Sequence, residues 1–306
     1  MDGKVLGHRI CAVDDCTAPL ANFKNGRFCA AHLPMLQDLC GIMPCGRPRR
    51  AGNALTCDDP AHSDWEKAWI NRFQRVSYPT MRRVIRDRRQ ADGADGFQLQ
   101  LPALGETPGS DVVHTFRART VYCVETVQWA CGMPIGWGKC YRSESTPQVL
   151  SIMNRIWDGH DNLRPSFLAY DDACDLLRHI VTQNANDSWL KTTKYIVDAF
   201  HYINHRSTDI LCRLWCNPAP TNGAQPDLVR VERDAQGRAH QTRAFNTETA
   251  EQFNAWLKGY EAPLRNMTDV NFDLFMHSLF LLFAEDIQKR ISRKDRALDA
   301  EFWENV

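Results

Sequence analysis

Eight residues near the N-terminus have the types and spacing of a metal-binding module. Cys11, Cys16, Cys29 and His32 read C-x4-C-x12-C-x2-H, and Cys40, Cys45, Cys57 and His62 read C-x4-C-x11-C-x4-H. The order Cys-Cys-Cys-His therefore occurs twice in tandem, with seven residues between the copies. Three thiolates and one imidazole complete the tetrahedron of a closed structural Zn2+ site. Turn formers such as Pro19, Gly26, Pro44, Gly46 and Gly52 fill the intervals, and apolar residues are few. A segment so poor in core residues would draw its folding energy from the metal. Ligand order does not fix which pairs share an ion, so an interleaved arrangement stays open at this level.

Further along, His201-x3-His205-x6-Cys212-x3-Cys216 offers a third set. Two His at i, i+4 share a helix face, as do two Cys at i, i+4, which makes a Cys2His2 zinc site feasible. The plain alternative is a core corner whose thiols pack as small hydrophobes. Cys174 and His179, a little upstream, are either further ligands or core.

Carboxylates supply the other chemistry. Asp171 closes the apolar run FLAY, and an acid ending a buried strand lies at the sheet edge where α/β sites form. Glu251 lies within a turn of the stripe Phe253, Trp256, Leu257 and Tyr260, so it can point back over a strand edge. Two or three carboxylates on one edge bind Mg2+ or Mn2+ through oxygen. A metal pair about 4 Å apart serves phosphodiester chemistry by activating the attacking oxygen and stabilising the leaving one. The plain alternative makes Asp171 a helix cap and Glu251 a surface residue.

These side chains need elements to hold them. RTVYCVETVQWA and MPIGWGKCYRS are β-rich runs joined at Cys131-Gly132, a hairpin. TPQVLSIMNRIWDGH is an amphipathic helix with Val149, Ile152, Met153 and Ile156 on one face. PSFLAYDD is a short apolar strand, ACDLLRHIVTQ a helix and KYIVDAFHYI a second apolar strand. A hairpin insertion, VRVERDAQGRAHQTRAF, turns at Gln236-Gly237, and no chemical role is read for it. NTETAEQFNAWLKGYEAPLRNM and NFDLFMHSLFLLFAEDIQKRI are two more helices. The alternation of hairpin, helix, strand, helix, strand and helix is an α/β layout, a mixed sheet covered by helices.

Lys+Arg and Asp+Glu are both 37, so net charge excludes no class of partner. Its distribution is more telling: residues 66–90 carry eight Lys/Arg against two acids. Arg72, Arg75, Arg82, Arg83, Arg86, Arg88 and Arg89 form either a phosphate-contacting surface or a solvated helix face. Residues 91–112, rich in Gly, Pro and Asp, read as a linker. The opening MDGKVLGHRICAVDDC lacks the apolar stretch of a secretion signal, and no run reaches the roughly 18 residues of a membrane span. Twelve cysteines in such a chain are expected to be ligands or free thiols.

The phrases DGKVLGHRICAVDDC, YCVETVQWACGMPIGW, FLAYDDAC, YIVDAFHYINHRSTDILCRLWCNPAP and AFNTETAEQFNAWL together resemble the fungal Kyakuja–Dileera–Zisupton (KDZ) transposases, in the subgroup with an inserted cysteine cluster. The resemblance covers most of residues 2–290 and implies an RNase H-like mixed sheet flanked by helices, with a small zinc-binding insertion near the N-terminus. It implies a DDE-type site in which Asp2, Asp171 and Glu251 hold two Mg2+ or Mn2+ ions for DNA cleavage and strand transfer. Glu125, in YCVET, is the substitute if Asp2 does not serve. In the family an apolar half-strand leads into the Asp-Gly, whereas here Met1 directly precedes Asp2. A truncated or inactive copy is therefore one expectation. The alternative function is a transposase-derived zinc protein that binds DNA or a protein partner without catalysis.

The expected organisation is a tandem Cys3His cluster over 8–65 and a basic helical segment with linker over 66–112. The transposase core takes 1–7 plus 113–292, and 293–306 is a tail. Zn2+ at two sites, with a third at His201–Cys216, DNA as partner, no membrane contact and a nuclear, intracellular location complete the expectations. Self-association is left open.

Overall fold

The computed structural model describes residues 1–74, 113–206, 208–220 and 227–293. The chain forms two compact units, one of Met1–Arg9 with Thr120–Val306, the other of Ile10–Arg119.

The unit Ile10–Arg119 contains both cysteine phrases, and its apolar content is small, as the sequence implies. Cys11, Ala12, Phe28 and Cys29 form one buried cluster, and Cys40, Ile42, Cys57 and Phe116 form another. The helix Pro60–Gln74 adds Trp65 and Trp69 to the second. Residues 113–119 belong here: Thr115 N donates to Gly41 O at 2.7 Å, and the Arg27 guanidinium donates to Thr115 O at 2.8 Å. Arg72 lies in the last turn of the helix. Arg75, Arg82, Arg83, Arg86, Arg88 and Arg89, with the expected linker, lie outside the described residues.

In the other unit, β1 (Asp2–Lys4), β2 (Cys123–Gln128) and β3 (Pro134–Cys140) form an antiparallel sheet with β2 central. The register sets Asp2 opposite Thr126, Gly3 opposite Glu125 and Cys123 opposite Cys140. Every residue of β2 is buried, and the alternation of a strand divides them between two faces. Val127 enters a core with Val149, Met153, Trp157, Leu168, Leu176, Ile180 and Trp189. Val124 enters a second with Phe253, Leu257, Phe272, Met276, Phe280 and Phe283. The β2–β3 turn falls at Gly132, whose φ of +93° is a conformation that side chains avoid.

The first face is covered by α1 (Thr146–Ile156) and α2 (Ala173–Gln183), the second by α4 (Thr249–Leu257) and α5 (Asp269–Ser292), with α3 (Ile210–Trp215) between them in sequence. α1 approaches β3 closely because Gly136 and Gly138 leave room. A Cβ on Gly136 would come 2.9 Å from Ile156 Cδ1, and one on Gly138 2.5 Å from Ile152 Cγ1. α5 is fixed to β3 by Lys139 Nζ, which lies 2.6 Å from Asp269 Oδ1 and 2.7 Å from Asp273 Oδ1.

A second ladder, parallel, pairs β4 (Phe167–Ala169) with β5 (Lys194–Ile196). The Met1 amine donates to Ala169 O at 2.8 Å, which brings the start of β1 against the end of β4. The hairpin of β6 (Val229–Arg233) and β7 (Ala239–Arg243) has the expected turn, with Gly237 at φ +76°.

Two elements differ from expectation. The apolar strand KYIVDAFHYI stops at Ile196, because Asp198 Oδ1 accepts from Phe200 N (2.9 Å) and His201 N (3.0 Å) and curls the chain into a turn. The helix expected over 246–267 is broken: α4 ends at Leu257, a 3-10 turn spans Lys258–Tyr260, and a short helix follows at Glu261–Arg265. Pro263 has no N–H for the Gly259 carbonyl, and Gly259 is itself a weak helix former.

Candidate functional site

Acidic side chains gather where β1, the end of β4 and α4 meet. α4 packs over β1 and β2, and Asn254, one turn beyond Glu251, marks the face it presents. Asn254 Nδ2 donates to Asp2 Oδ2 at 2.7 Å, and Thr126 Oγ1 lies 3.2 Å from both Asn254 Oδ1 and Asp2 O. Glu251 thereby comes beside Asp2, and burial followed by the Glu251 charge pushes the Asp2 carboxyl up to about 6. Asp171 follows β4. Burial, then Glu144, Asp172 and Asp2, push it up to about 7. His201 joins from the turn after β5, with Nδ1 2.7 Å from Asp198 Oδ2 and Nε2 3.5 Å from Glu251 Oε1. Despite its own burial it is held above the usual imidazole value by Asp198, Asp171 and Glu251.

Glu144 is an acid that sequence reasoning missed. It precedes α1, where spacing gives no hint of its neighbours, yet it sits between Asp2 and Asp171. Tyr170 Oη donates to its Oε1 at 2.7 Å, and Cys123 Sγ lies 3.4 Å from its Oε2. A Cβ on Gly3 would overlap the Glu144 carboxylate, so the glycine after Asp2 makes room for this acid. Asn254 was legible in principle as the residue three places after Glu251 on one helix face.

Glu125 lies deeper than these groups. It is fully buried, neither carboxylate oxygen has a hydrogen-bond partner, and burial with Glu144 raises it far above the ordinary range. It lies inside the sheet, beside the Cys123 and Cys140 sulfurs.

The eight N-terminal ligands form two separate groups, one from each phrase, and the interleaved arrangement does not occur. In the first, Cys11 and Cys29 Sγ lie 3.5 and 3.4 Å from His32 Nδ1, and the Cys16 and Cys29 sulfurs are 3.9 Å apart. In the second, Cys40 and Cys57 lie 3.5 and 3.3 Å from His62 Nδ1, and the Cys45 and Cys57 sulfurs are 3.9 Å apart. Bonds of ~2.3 Å to sulfur and ~2.05 Å to nitrogen in a tetrahedron give S···S of about 3.8 Å and S···N of about 3.6 Å. Both groups fit zinc. Hydrogen bonds from Arg47 draw Cys45 down to about 6, toward the thiolate that ligation needs. The second site is braced by buried Glu66, which accepts from Leu55 N (2.7 Å), Thr56 Oγ1 (2.6 Å) and Arg50 Nη2 (2.7 Å).

Of the third expected set, His205 and Cys212 come together, while Cys216 stands outside their close group and His201 does not join it. The Asp198 turn removes the helical i, i+4 geometry and aims His201 at the acids instead. Cys174 takes that place, while His179 stays outside the group.

Residues 1–68 match the family model described as CxC6 like cysteine cluster associated with KDZ transposases. The matched span takes in β1 with Asp2, both cysteine phrases and the start of the helix Pro60–Gln74. No curated protein and no solved structure matches the chain. The cysteine cluster is thus of the kind associated with KDZ transposases, and the chain is transposase-related in that sense. Among the described residues, no helix is long and apolar enough to cross a membrane.

Proposed function

We propose that this chain is a DDE-type transposase-like protein, its core unit an RNase H-like domain and its cysteine unit an inserted structural lobe. The observation that carries the reading is the convergence of Asp2, Asp171 and Glu251 from a sheet strand, the end of a parallel strand and a covering helix. In this reading the strand order is β3-β2-β1-β4-β5, with the bond from Met1 to Ala169 as the seam between the two ladders. The N-terminal match to a KDZ-associated cluster supports it independently.

Asp2, Asp171 and Glu251 would hold two Mg2+ or Mn2+ ions, and Glu144 stands beside them. An oxygen donor set suits these hard cations, and carboxylates crowded enough to resist ionisation gain from a nearby divalent charge. When bound, the ions supply activation of the attacking oxygen and charge balance for the leaving one. The chain's own groups prepare this. Asn254 fixes one oxygen of Asp2, and Asp198 orients His201 so that its Nε2 faces Glu251. DNA is the proposed substrate, with Arg72 and the six arginines of 75–89 gripping its phosphates. A nuclear location follows from the same reading.

The test is Mn2+-dependent cleavage of duplex DNA by the zinc-loaded chain. Asp171→Ala and Glu251→Ala are each expected to lower the rate at least a hundredfold. Equal rates in all three proteins remove the nuclease. Salt-dependent DNA binding without cleavage by the wild type would favour the non-catalytic zinc protein instead.

A further inference from the structure

The core unit carries a third cluster of thiols and imidazole, at the first turn of α2. Cys174 stands in that turn, His205 follows the 3-10 turn Tyr202–Asn204, and Cys212 and Cys216 lie on and just after α3. His205 Nδ1 is 3.3 Å from Cys174 Sγ and 3.3 Å from Cys212 Sγ. Cys216, wholly buried, adjoins Cys174, with its sulfur outside the close group of Cys174, His205 and Cys212. The three cysteines are 4% exposed or less, more withdrawn from solvent than the two N-terminal groups, in which Cys16 and Cys45 are half-buried.

The close group supplies two thiols and a His Nδ1 at the S···N distances of the N-terminal groups, and Cys216 beside Cys174 offers the third thiol that those groups have. Three elements that share no continuous helix or strand contribute them: one each from the start of α2 and the turn at His205, and two from α3 and its end. Backbone packing alone has little reason to aim their polar tips at one point. The surroundings also hold the ligands in place. Asp209 Oδ1 accepts from Cys212 N at 3.2 Å, Arg178 Nη2 donates to Asp209 Oδ2 at 3.0 Å, and Val197 N donates to Cys216 O at 2.8 Å. An open cleft of about 560 Å3, lined by Asp172, Cys174, Arg178, His205 and Asp209, gives an ion a route in.

We propose that Cys174, His205 and Cys212 bind a third structural Zn2+, with Cys216 turning in from beside Cys174 as the fourth ligand. Soft thiolates with one imidazole select zinc over the hard cations proposed at the acids. The ion would tie the start of α2, two residues past Asp172, to the turn that carries His201. It would thus brace two of the loops that present the acidic site. The assignment stands without the nuclease reading, since it concerns metal content and not DNA cleavage.

Zinc per chain is counted by native mass spectrometry and elemental analysis on the full chain, with folding checked by circular dichroism. The wild type is expected to carry three ions. Cys212→Ser and Cys216→Ser should carry two. His201→Ala should keep three, and so should His205→Cys, which substitutes one zinc ligand for another. Replacing zinc by Co2+ gives a second readout, because thiolate-bound Co2+ absorbs in the visible, and Cys212→Ser should lose about a third of that absorbance. Two ions in folded wild type would overturn the proposal, as would three in Cys212→Ser. Loss of one ion from His201→Ala would overturn this ligand set.

Discussion

At Asp2 and Asp171, burial and neighbouring acids raise the carboxyls to about 6 and about 7. An unfolded aspartate titrates near ~3.9, so between that value and these the folded chain holds protons the unfolded chain has lost. These two groups therefore favour folding at low pH and lose that contribution as pH rises toward 7. Asp171→Asn is expected to flatten the fall in thermal stability between pH 4 and 7, measured on zinc-loaded protein without Mg2+. Binding of Mn2+ has the same origin: it should tighten steeply from pH 5.5 to 7.5 by calorimetry, because the ion displaces those protons. Asn254→Ala removes the hydrogen bond that holds Asp2 down. It should raise that carboxyl further and weaken Mn2+ binding more at pH 6 than at pH 8, with about 1–3 kcal/mol of stability lost. The places of Asp171 after a strand and Glu251 on a helix were legible because strand ends and helix stripes leave a pattern in sequence. Glu144 was not, since its role depends on a glycine opposite it across the fold.

Among the elements, β3 shows how packing overrides local preference. Gly136 and Gly138 are poor strand residues, but a side chain at either would strike Ile156 or Ile152 of α1. Gly138→Val is expected to cost about 1–3 kcal/mol in urea unfolding through overpacking. In the cysteine unit, Glu66→Ala would leave Leu55 N, Thr56 Oγ1 and Arg50 without their shared acceptor. Zinc release to a chromogenic chelator should then quicken at the Cys40–His62 site and not at the Cys11–His32 site. The hairpin at Gly132, the helices α1 and α2 and the outer hairpin at Gly237 were readable from turn residues and apolar periodicity. The end of β5 was not: a single aspartate side chain capturing two backbone N–H groups stops a strand that its apolar residues would have continued. The same capture redirects His201 and lets Cys174 replace it, so one local turn accounts for both departures.

For the molecule as a whole, composition sets the cysteine segment apart, because turns and thiols cannot share the core-building logic of the rest. The pairing of Asp2–Lys4 with the ladder beyond 120 was legible only through the resemblance, which makes the cysteine cluster an insertion, since three residues carry no local sign of so distant a partner. Gly3 faces Glu125 in that ladder, and Val121 N donates to His8 O at 2.8 Å, so everything from Arg9 to Thr120 is a closed excursion from one strand pair. Bringing two ends of a chain together costs more as the intervening chain lengthens, though only by about 0.6 kcal/mol per doubling, and long-range pairing slows assembly. With zinc held in the two Cys3His groups that fit it, the excursion would be effectively short. Timing of metal supply should thus govern how fast the β-sheet forms: refolding from denaturant in a chelator is expected to lag in stopped-flow tryptophan fluorescence, and zinc added at the outset to restore the rate.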